Sequence, residues 1–487
     1  MLYEILPLAL DHCSLNIRNW PEPVKDVWPG RYVLPVWPIL RIMPVMNHTE
    51  SLRQRGVAVP DILLPKAGLD LSKWAVIACD QYTQDREYWE NARKRAEGAP
   101  SALGMILPEV YLEDGDRPER LSSIRKTMRA YMESGVFAPP VKGFTYIERV
   151  TAYGRTRKGL VAAIDLEAYE WKPGTAAPIR ATEATIVDRI PPRMEIRRGA
   201  PLESPHIMLL VNDPDRLLVE AAGNRVRTET PVYATKLEPD AGSVTGWKIE
   251  TEAGIASVAE AVRRLSDAGK GPDGAPFLFA VGDGNHSLAT AKAVWDEFKA
   301  QNAARFASGA LDRENHPARF ALVEIVNLYD EGLTFEPIHR VLFGTDGKTL
   351  AAYLATRLGG TLSATESGER LEALVGDESV TRFGFVSADG LACLETPSPL
   401  LAVSRLQPAL DDFVAERPGV TIDYIHGAEE VFRLGGKDNA VAILLPPVEK
   451  DSFFSTIASG GPLPRKSFSM GEASEKRYYL ECRRLFD

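Results

Sequence analysis

One short segment of the sequence combines residue types that could bind an anion and move a proton. It is the run Gly-Asp-Gly-Asn-His at residues 282–286, and it follows an apolar run of strand length at residues 276–281. Its two glycines permit backbone angles and close approaches that a side chain would forbid. The Asp283 carboxylate could hold a metal or accept a proton. His286 could donate a hydrogen bond to a phosphate oxygen, or act as an acid or base, because histidine changes charge near neutral pH.

A helix that begins at Ser287 would place free backbone amides beside this segment. Leu288, Ala291, Trp295 and Phe298 recur at spacings of three and four residues, which predicts one apolar helix face. The amides of the first turn and the helix dipole together favour an anion at such a start. The alternative is a tight turn whose polar residues only cap the helix, and the residues alone leave both interpretations open.

A second group of candidates is a cluster of arginines at residues 180–198. Five arginines stand there with only three acidic residues, in a chain whose formal net charge is -10. Guanidinium groups suit anions, so Arg180, Arg189 and Arg193 are candidate phosphate ligands. An equally weighted alternative to ligand binding is that these arginines pair with nearby carboxylates on a solvated face.

A third group lies on a strand predicted at residues 336–340, which carries the adjacent pair His339 and Arg340. His339 is a candidate for catalysis or anion binding, with a satisfied structural histidine as the alternative. The sequence contains neither a P-loop nor a dinucleotide fingerprint, and no histidine or cysteine spacing indicates a fixed zinc site.

Six segments, taken in order, resemble the family called domain of unknown function 1015. The loop at residues 282–286 resembles that family's Asp-Gly-His-His-Arg signature. The resemblance extends from about residue 57 to the C-terminus, and it implies that His339 and Arg340 lie near the signature loop. The six segments are residues 74–89, 180–193, 277–292, 336–340, 423–427 and 463–469.

The same signature is similar to the one in the ParB and sulfiredoxin superfamily. That group includes nucleotide-hydrolysing partition proteins, an ATP-using sulfinic acid reductase and free-serine kinases. The similarity implies that Gly282, Asp283, Gly284 and His286 face nucleotide phosphates. It also implies ATP or ADP with Mg²⁺ as the cofactor, with Asp283 as the metal ligand.

Two residues depart from the commoner form of the signature. Asn285 replaces its first histidine and Ser287 replaces its arginine, and both remain cofactor-binding candidates at the matched positions. The loss of the arginine removes a bidentate phosphate ligand, so an arginine from elsewhere would have to take its place. The candidates for that place are Arg180, Arg189, Arg193 and Arg340.

Together these residues predict a nucleotide- or phosphate-dependent phosphotransferase of the kinase type, or a hydrolase, that acts on a small polar metabolite. Asp283, His286 and His339 are the predicted catalytic residues. The alternative is a non-catalytic protein that binds a nucleotide, a nucleic acid or a metabolite through a drifted loop. The net charge of -10 argues against nucleic acid as the partner.

The elements that must position these side chains alternate between strands and helices. This alternation predicts a mixed α/β fold, with a ParB/sulfiredoxin-like strand–loop–helix core and additional mixed-sheet layers. Residues 141–170 predict antiparallel strands, residues 207–211 a buried strand and residues 256–265 an amphipathic helix.

Two further predictions concern the ends of the chain's folded part. A strand at residues 74–79 leads through a polar turn into a helix near Gln84, with Thr83 as its N-cap. Near the C-terminus, alternation along residues 478–483 predicts a strand that is buried on one face only.

The length of 487 residues predicts several domains. We expect an N-terminal α/β domain at residues 46–200, a central domain with the signature loop at 201–345 and a C-terminal α/β domain at 346–487. Tryptophan and proline crowd residues 1–45, which predicts a non-native or disordered extension and a true start at Met46.

Four dispersed cysteines predict a reduced compartment, the cytoplasm. No apolar run approaches the roughly 18 residues of a membrane span, so no membrane association is expected. The expected partner is a small-molecule substrate, and nothing in the sequence indicates the oligomeric state.

Overall fold

The computed structural model describes residues 47–238, 240–271, 274–397 and 401–486. The extension predicted at residues 1–45 and the start predicted at Met46 lie outside these ranges. Within them the chain forms a mixed α/β structure, which confirms the predicted fold class. It contains two large β-sheets and four two-stranded ribbons, with helices packed against the large sheets.

The strands in the described ranges are β1 (Val57–Ala58), β2 (Asp61–Ile62), β3 (Val76–Ile77), β4 (Val141–Lys142), β5 (Phe144–Val150), β6 (Thr156–Asp165), β7 (Tyr169–Glu170), β8 (Ile179–Ala181), β9 (Leu202–Glu203), β10 (Met208–Val211), β11 (Tyr233–Lys236), β12 (Ser243–Ile249), β13 (Phe279–Asp283), β14 (Phe320–Asn327), β15 (Glu336–Pro337), β16 (His339–Phe343), β17 (Thr361–Thr365), β18 (Thr381–Ser387), β19 (Gly390–Thr396), β20 (Thr421–Ile425), β21 (Ala440–Leu444), β22 (Phe468–Ser469), β23 (Tyr478–Tyr479) and β24 (Arg483–Arg484).

The α-helices in the same ranges are α1 (His48–Arg53), α2 (Leu71–Trp74), α3 (Arg86–Ala96), α4 (Arg117–Glu133), α5 (Ile190–Arg197), α6 (Val219–Val226), α7 (Glu252–Ala268), α8 (Asn285–Gln301), α9 (Ala303–Ala307), α10 (Gly347–Leu358), α11 (Gly368–Val375), α12 (Ala402–Ala415), α13 (Ala428–Gly435) and α14 (Lys450–Gly460).

The larger sheet has ten strands in the order β11-β12-β5-β6-β14-β10-β13-β8-β7, with β1 paired to β6. It is mixed, because β10 is parallel to β14 while β8 is parallel to both β13 and β7. The antiparallel hairpin of β5 and β6 fulfils the strand prediction for residues 141–170. Strand β13, which ends in Asp283, therefore lies between two strands and has no free edge along its apolar part.

Helix α8 follows β13 directly and carries the predicted apolar face. Leu288, Ala291 and Trp295 are completely buried, as their spacing predicted. Phe298 is half-buried and packs against the ring of His316, with 4.6 Å between the ring centroids. The helix begins at Asn285, two residues before the predicted start at Ser287.

The smaller sheet has six antiparallel strands in the order β17-β19-β18-β21-β16-β20. Its inner strands β16, β18 and β21 are covered on both faces, whereas the residues of the edge strands β17 and β20 are exposed or half-buried. Leu342 of β16 belongs to a core shared with α10 and α12, whereas its neighbour Val341 belongs to a second core shared with α11 and α13. Successive strand residues point to opposite faces, which explains this division.

The predicted domain boundaries at residues 200 and 345 remain predictions. The ten-stranded sheet takes strands from both sides of residue 200, since β5 and β13 both belong to it. The six-stranded sheet is built from residues 339–444. Of the helices that the structure describes, none is long and apolar enough to cross a membrane.

Two local predictions near residue 80 need correction. Only Val76–Ile77 forms a strand there, because Trp74 ends helix α2. Asp85, not Thr83, is the N-cap of α3, and its side chain accepts the amide of Tyr88. The chain bends at Tyr82, whose φ is 50°, and this bend moves the helix start to Arg86.

Within the segment at residues 476–485, residues 477–483 are all buried, whereas the alternating pattern predicted one solvated face. The reason is a set of buried ion pairs. Arg477 Nη1 donates to Glu324 of β14 at 2.5 Å, and Arg477 Nη2 donates to Glu481 at 2.7 Å. Arg483 pairs with Glu203 of β9 at 2.6 Å. Charged residues on the presumed outer face thus meet opposite charges inside the protein.

Glu324 also lies near Arg157 of β6, with 3.5 Å between the charged atoms. Burial alone would raise the pKa of Glu324, but the charges of Arg157 and Arg477 hold it below the ordinary value. Tyr233 donates its hydroxyl proton to Glu481. The buried charges are therefore both paired and hydrogen-bonded, which is the condition for keeping them inside a protein.

Replacing Arg477 with Met should strongly destabilise the fold. The substitution leaves Glu324 and Glu481 buried without their main partner, and breaking such a pair from one side costs about 3–5 kcal/mol. Chemical denaturation followed by tryptophan fluorescence would measure the change in the free energy of unfolding.

Arg433→Met is the matched control, because Arg433 forms an exposed ion pair with Glu430 on α13. That variant should unfold at the same denaturant concentration as the wild type. A loss below about 1 kcal/mol for Arg477→Met would contradict the importance of the buried network.

Candidate functional site

The loop between β13 and α8 turns sharply at one glycine. Gly284 has φ 82° and ψ 29°, a left-handed conformation that side chains rarely adopt. Gly282 is required for a different reason. A Cβ atom there would lie 2.8 Å from Met470 and 2.9 Å from Leu210, so packing beneath the loop excludes a side chain. The sequence assigned both glycines to ligand binding, and the structure gives Gly282 a packing role.

The first turn of α8 has unused hydrogen-bond donors. Gly284 is the N-cap residue and offers no side chain, so no side-chain cap satisfies the turn. Within the described ranges, the amides of Asn285, His286 and Ser287 find no acceptor, and the first helical bond is that of Leu288 to Gly284. These three residues are only half-buried. Such a turn is suited to an anion.

Asn285 fixes the loop to the neighbouring strand end. Its Oδ1 accepts the amide of Thr182 at 3.2 Å, and its Nδ2 lies 3.3 Å from Thr182 Oγ1 and 3.4 Å from the carbonyl of Val281. The Asn285 side chain is therefore occupied within the protein, and only its backbone amide is available to a ligand.

His286 is uncharged at neutral pH. Burial, together with the charges of Arg193 and Arg189, lowers its pKa to about 4. Its Nε2 accepts the amide of Ile186 at 3.2 Å, so the ring proton stands on Nδ1. His286 can thus donate a hydrogen bond through Nδ1 without carrying a charge.

Asp283 lies beside a lysine from the C-terminal part of the chain. Lys476 Nζ is 3.4 Å from Asp283 Oδ2, and Asp283 Oδ1 accepts the amide of Gly284. Both side chains are largely buried but reach the surface. The predicted catalytic carboxylate is therefore accompanied by a cation that the sequence did not place there.

Glu183 is a second carboxylate at this place. Its pKa is raised to about 7, chiefly by burial and in smaller part by the charge of Asp283, against the opposing effect of two backbone amides and the charge of Lys466. Its Oε1 accepts the amide of Ser467 at 3.1 Å. Residues 182–184 also pair with Leu463, so the C-terminal part of the chain holds this carboxylate beside the loop.

Ser287 begins a chain of hydrogen bonds that leads into the core. Its Oγ lies 2.8 Å from His206 Nε2, and His206 Nδ1 lies 2.8 Å from the hydroxyl of Tyr479. Asp80 Oδ2 is 3.6 Å from His206 Nε2. The polar turn predicted after the strand near residue 77 therefore reaches the site, although helix α3 begins later than predicted.

The arginine cluster is divided between the site and the protein's own carboxylates. Arg193 pairs with Glu109 at 2.5 Å, and Arg197 and Arg198 pair with Glu203 and Glu297. Arg189 is exposed, and no partner for its side chain is found in the described ranges. Arg189 and Arg193 both lower the pKa of His286, so both lie near the loop.

Arg180 is directed elsewhere. It donates to the carbonyl of Ala177 at 2.7 Å, and its guanidinium lies 4.6 Å from the ring centroid of Phe277. It lines a cavity of about 190 Å³ together with the glycines at the end of α14. The structure therefore does not bring Arg180 to the first turn of α8.

His339 and Arg340 lie on β16 in the six-stranded sheet. His339 Nδ1 accepts the amide of Leu445 at 3.1 Å, and burial followed by the charge of Arg340 lowers its pKa to about 4. Arg340 donates to Gln407 at 2.9 Å and is fully buried. Burial lowers the pKa of Arg340 to about 10, while the charge of Glu183 opposes this shift. Arg340 thus lies within electrostatic range of the loop, and His339 has a structural partner.

Four residues of the site were missed by the sequence reasoning, namely Glu183, His206, Lys476 and Tyr479. For His206 there was a usable signal, because it stands just before β10, and Met208 of β10 pairs with Asp283. Glu183 stands in a segment that carried the family resemblance, whereas Lys476 and Tyr479 follow the last such segment by seven and ten residues. No local pattern identified them, because their contacts with the loop are made across the fold.

The described residues contain no ready-made metal centre. In the part of the chain that the structure describes, no three His, Cys, Asp or Glu side chains are grouped to hold a metal ion. Asp283 offers one carboxylate, and Mg²⁺ commonly binds through one or two carboxylates together with substrate phosphates. Asp283 therefore fits a metal ion only if other ligands supply most of the coordination.

Comparison with solved structures gives matches of low similarity. A free serine kinase in complex with AMP matches with a TM-score of 0.34 and 10% identity, over 67% of this chain and 92% of that chain. SbnI from Staphylococcus aureus, truncated at its C-terminus, gives 0.32 and 9%, over 67% and 87%. A conserved hypothetical protein from Pyrococcus furiosus gives 0.30 and 11%, over 66% and 90%.

No curated protein matches the sequence. The family model described as "Protein of unknown function (DUF1015)" matches residues 63–413, which is more than two thirds of the chain. This range includes the strand–loop–helix of the signature and the cluster of arginines before it. The chain belongs to the DUF1015 family.

Proposed function

We propose that this protein is a nucleotide-dependent phosphotransferase of the kinase type, or a hydrolase, that acts on a small polar metabolite. One observation carries the proposal: three amides in the first turn of α8 have no acceptor among the residues that the structure describes, and cationic side chains lie near this turn. Amides and cations that converge on one point suit a phosphate group.

The residues around the first turn of α8 then take definite parts. The amides of Asn285, His286 and Ser287 bind the phosphate, and His286 adds a donor through Nδ1. Because His286 is uncharged and already accepts a hydrogen bond at Nε2, its part is to donate to the ligand and not to remove a proton. Lys476 neutralises charge that develops during transfer.

Arg189 is the candidate for the arginine that the signature loop lacks. It is near enough to influence His286, and it is the exposed member of the cluster without an ion-pair partner in the described ranges. Arg193, which Glu109 already binds, would serve only by exchanging that partner. Arg340 acts at longer range, through its charge beside Glu183.

A base is needed to accept the proton of the substrate hydroxyl, and Glu183 suits this part. Its pKa of about 7 leaves a useful fraction ionised at neutral pH and makes it a stronger base than an ordinary carboxylate. Asp283 is then free to hold Mg²⁺ where the nucleotide brings it. Bound Mg²⁺ would neutralise the phosphate oxygens.

We further propose that the loop works as in the ParB and sulfiredoxin superfamily, with ATP or ADP as the nucleotide and the cytoplasm as the compartment. Gly282, Asp283, Gly284 and His286 support this by their order in the signature. His339 is the weakest of the proposed catalytic residues, because the amide of Leu445 occupies its Nδ1.

The second candidate function is a metabolite-binding protein without catalysis. The observation that favours it is Asn285, whose side chain holds the loop together instead of facing a ligand. A ligand panel separates the two functions, because only the phosphotransferase or hydrolase requires a nucleotide to bind and to be consumed.

Lys476→Met should weaken the binding of pyrophosphate about tenfold, because a hydrogen bond to a charged group contributes about 1.5–3 kcal/mol. Titration calorimetry gives the affinity. Thermal unfolding with ATP, ADP, GTP and pyrophosphate, each with and without Mg²⁺, then identifies the nucleotide, since a ligand of the native state raises the midpoint.

Lys299→Met is the matched control for that variant. Lys299 lies near the opposite end of α8, about 20 Å from the first turn by helix geometry, and pairs with Glu167 and Asp296. It should bind pyrophosphate like the wild type. If no member of the panel raises the midpoint of the wild type, the non-catalytic metabolite binder becomes the better description.

Glu183→Gln should abolish the acid limb of the pH–rate profile and lower the rate of nucleotide consumption at least about 100-fold. The wild-type rate should fall as pH drops below about 7, because Glu183 then becomes protonated. The assay is the release of ADP or phosphate between pH 5 and pH 9, values chosen to span this pKa.

Glu183→Gln should lower activity but raise the stability of the fold. A carboxyl group whose pKa is raised in the folded state loses stabilising effect as pH rises from its ordinary value of 4.5 to about 7. Glu183→Gln should therefore be more stable than the wild type at pH 8. The control Glu372→Gln, at an exposed position on α11, should change neither the pH–rate profile nor the stability. An unaltered pH profile in Glu183→Gln would assign the base to another residue.

A further inference from the structure

Ser287 stands where the signature has an arginine, and its hydrogen bonds give it a defined part in binding. Ser287 Oγ, the two ring nitrogens of His206 and the hydroxyl of Tyr479 form a continuous chain with both distances at 2.8 Å. The hydroxyl of Tyr479 also accepts the amide of Cys79 at 3.1 Å. The chain begins at the first turn of α8 and ends in the core, where Tyr479 is 1% exposed.

The inner end of this chain determines where the ring proton of His206 stands. The Tyr479 hydroxyl keeps its proton, since burial raises the pKa of Tyr479 well above 10. That proton needs an acceptor, because a buried donor without a partner is unfavourable. Among the described residues His206 Nδ1 is the acceptor within reach. His206 therefore carries its own proton on Nε2.

The proton on His206 Nε2 also determines the hydrogen-bond direction at the Ser287 end of the chain. His206 Nε2 donates to Ser287 Oγ at 2.8 Å, while the Asp80 carboxylate at 3.6 Å lies beyond hydrogen-bond distance. The oxygen of Ser287 is then an acceptor toward His206. Its own proton is left for another acceptor at this half-buried turn, whose first three amides also have no acceptor among the described residues.

We propose that Tyr479 and His206 are positioning residues that turn the Ser287 hydroxyl into a hydrogen-bond donor for the anion bound at the first turn of α8. This rests on the proposed phosphate-binding function of that turn. A neutral hydroxyl donor, oriented from the core, thereby partly replaces the missing arginine of the signature.

The same geometry speaks against a different interpretation. A serine 2.8 Å from a histidine, with a carboxylate nearby, resembles a nucleophile with its base. A histidine protonated on Nε2 cannot take the serine proton at that atom. The group that orients its Nδ1 is also a hydroxyl that donates, not a carboxylate that accepts.

A double-mutant cycle on pyrophosphate affinity tests the proposal. Ser287→Ala removes the donor, and Tyr479→Phe removes the proton that holds His206 in its tautomer. Each should lower the affinity about tenfold, the effect of one hydrogen bond to a charged ligand. The double variant should bind no more weakly than either single variant, because both act through the same hydroxyl.

Replacements of His206 distinguish positioning from mere structural support. His206→Ala should bind pyrophosphate as weakly as Ser287→Ala. His206→Gln should restore most of the affinity, because its side-chain amide can donate to Ser287 from near the position of Nε2. Equal losses for Ala and Gln, or strictly additive losses in the cycle, would overturn the relay.

Tyr478→Phe is the matched control. Tyr478 is the neighbouring buried tyrosine, and its hydroxyl donates to Glu238 at 2.6 Å, away from His206. It should bind pyrophosphate like the wild type. A loss as large as that of Tyr479→Phe would attribute the effect to general disturbance of this segment.

Nitrogen NMR of a sample labelled in its histidine rings tests the relay without any ligand. His206, assigned by the loss of its signals in His206→Gln, should appear as the Nε2–H tautomer and should change tautomer in Tyr479→Phe. If wild type binds no pyrophosphate but shows this tautomer, the phosphate function fails while the orientation of Ser287 holds. An Nδ1–H tautomer in the wild type would refute the relay even if pyrophosphate binds.

Discussion

The ion pairs of Arg477 with Glu324 and Glu481 are the constraint on which the candidate site depends. They are buried, so they persist only if the segment at residues 476–485 lies in one register against the ten-stranded sheet. That register places the preceding residue, Lys476, against Asp283, and it places Tyr479 against His206. A structural interaction thereby fixes one contact of the loop, through Lys476, and one contact of His206, through Tyr479.

The charge distribution of the site follows from how its groups are buried. Both histidines that the sequence nominated, His286 and His339, have a pKa lowered to about 4 and are uncharged at neutral pH. Positive charge near the loop therefore comes from lysine and arginine side chains and from the helix dipole. Glu183 shows the opposite effect of burial, since its pKa rises to about 7. The lysine and arginine side chains thus supply the positive charge near the loop, whereas Glu183 is the group there that titrates near neutral pH.

Much of the fold could be predicted from the sequence, because the relevant signals are local. The apolar run before Asp283 and the spacing of Leu288, Ala291 and Trp295 are contained within about twenty residues, and they predicted β13 and α8. The arginine cluster was also local, but its partners were not. Glu109 lies 84 residues from Arg193, so the sequence left ion pairing and ligand binding equally weighted.

The rest of the site could not be predicted because it is assembled from distant parts of the chain. Tyr479 and His206 are 273 residues apart, and Ser467 and Glu183 are 284 residues apart. Alternation along residues 478–483 predicted a solvated face, because a charged side chain usually faces water. Glu481 and Arg483 instead meet Arg477 and Glu203 inside the protein. A pattern of residue types does not indicate where the opposite charge will be.

The late position of this segment in the chain has a consequence during synthesis on the ribosome. Glu324 leaves the ribosome about 150 residues before Arg477, its partner at a separation of 153 positions. Until Arg477 is available, Glu324 has no such partner at a position that is buried away from water in the folded protein. Burying this carboxylate unpaired is strongly unfavourable. We expect the nascent sheet to stay open or hydrated around Glu324 during this interval. Lys476 would reach Asp283, and Tyr479 would reach His206, in the same step that closes the core, so in an incompletely made chain the loop lacks both of these neighbours.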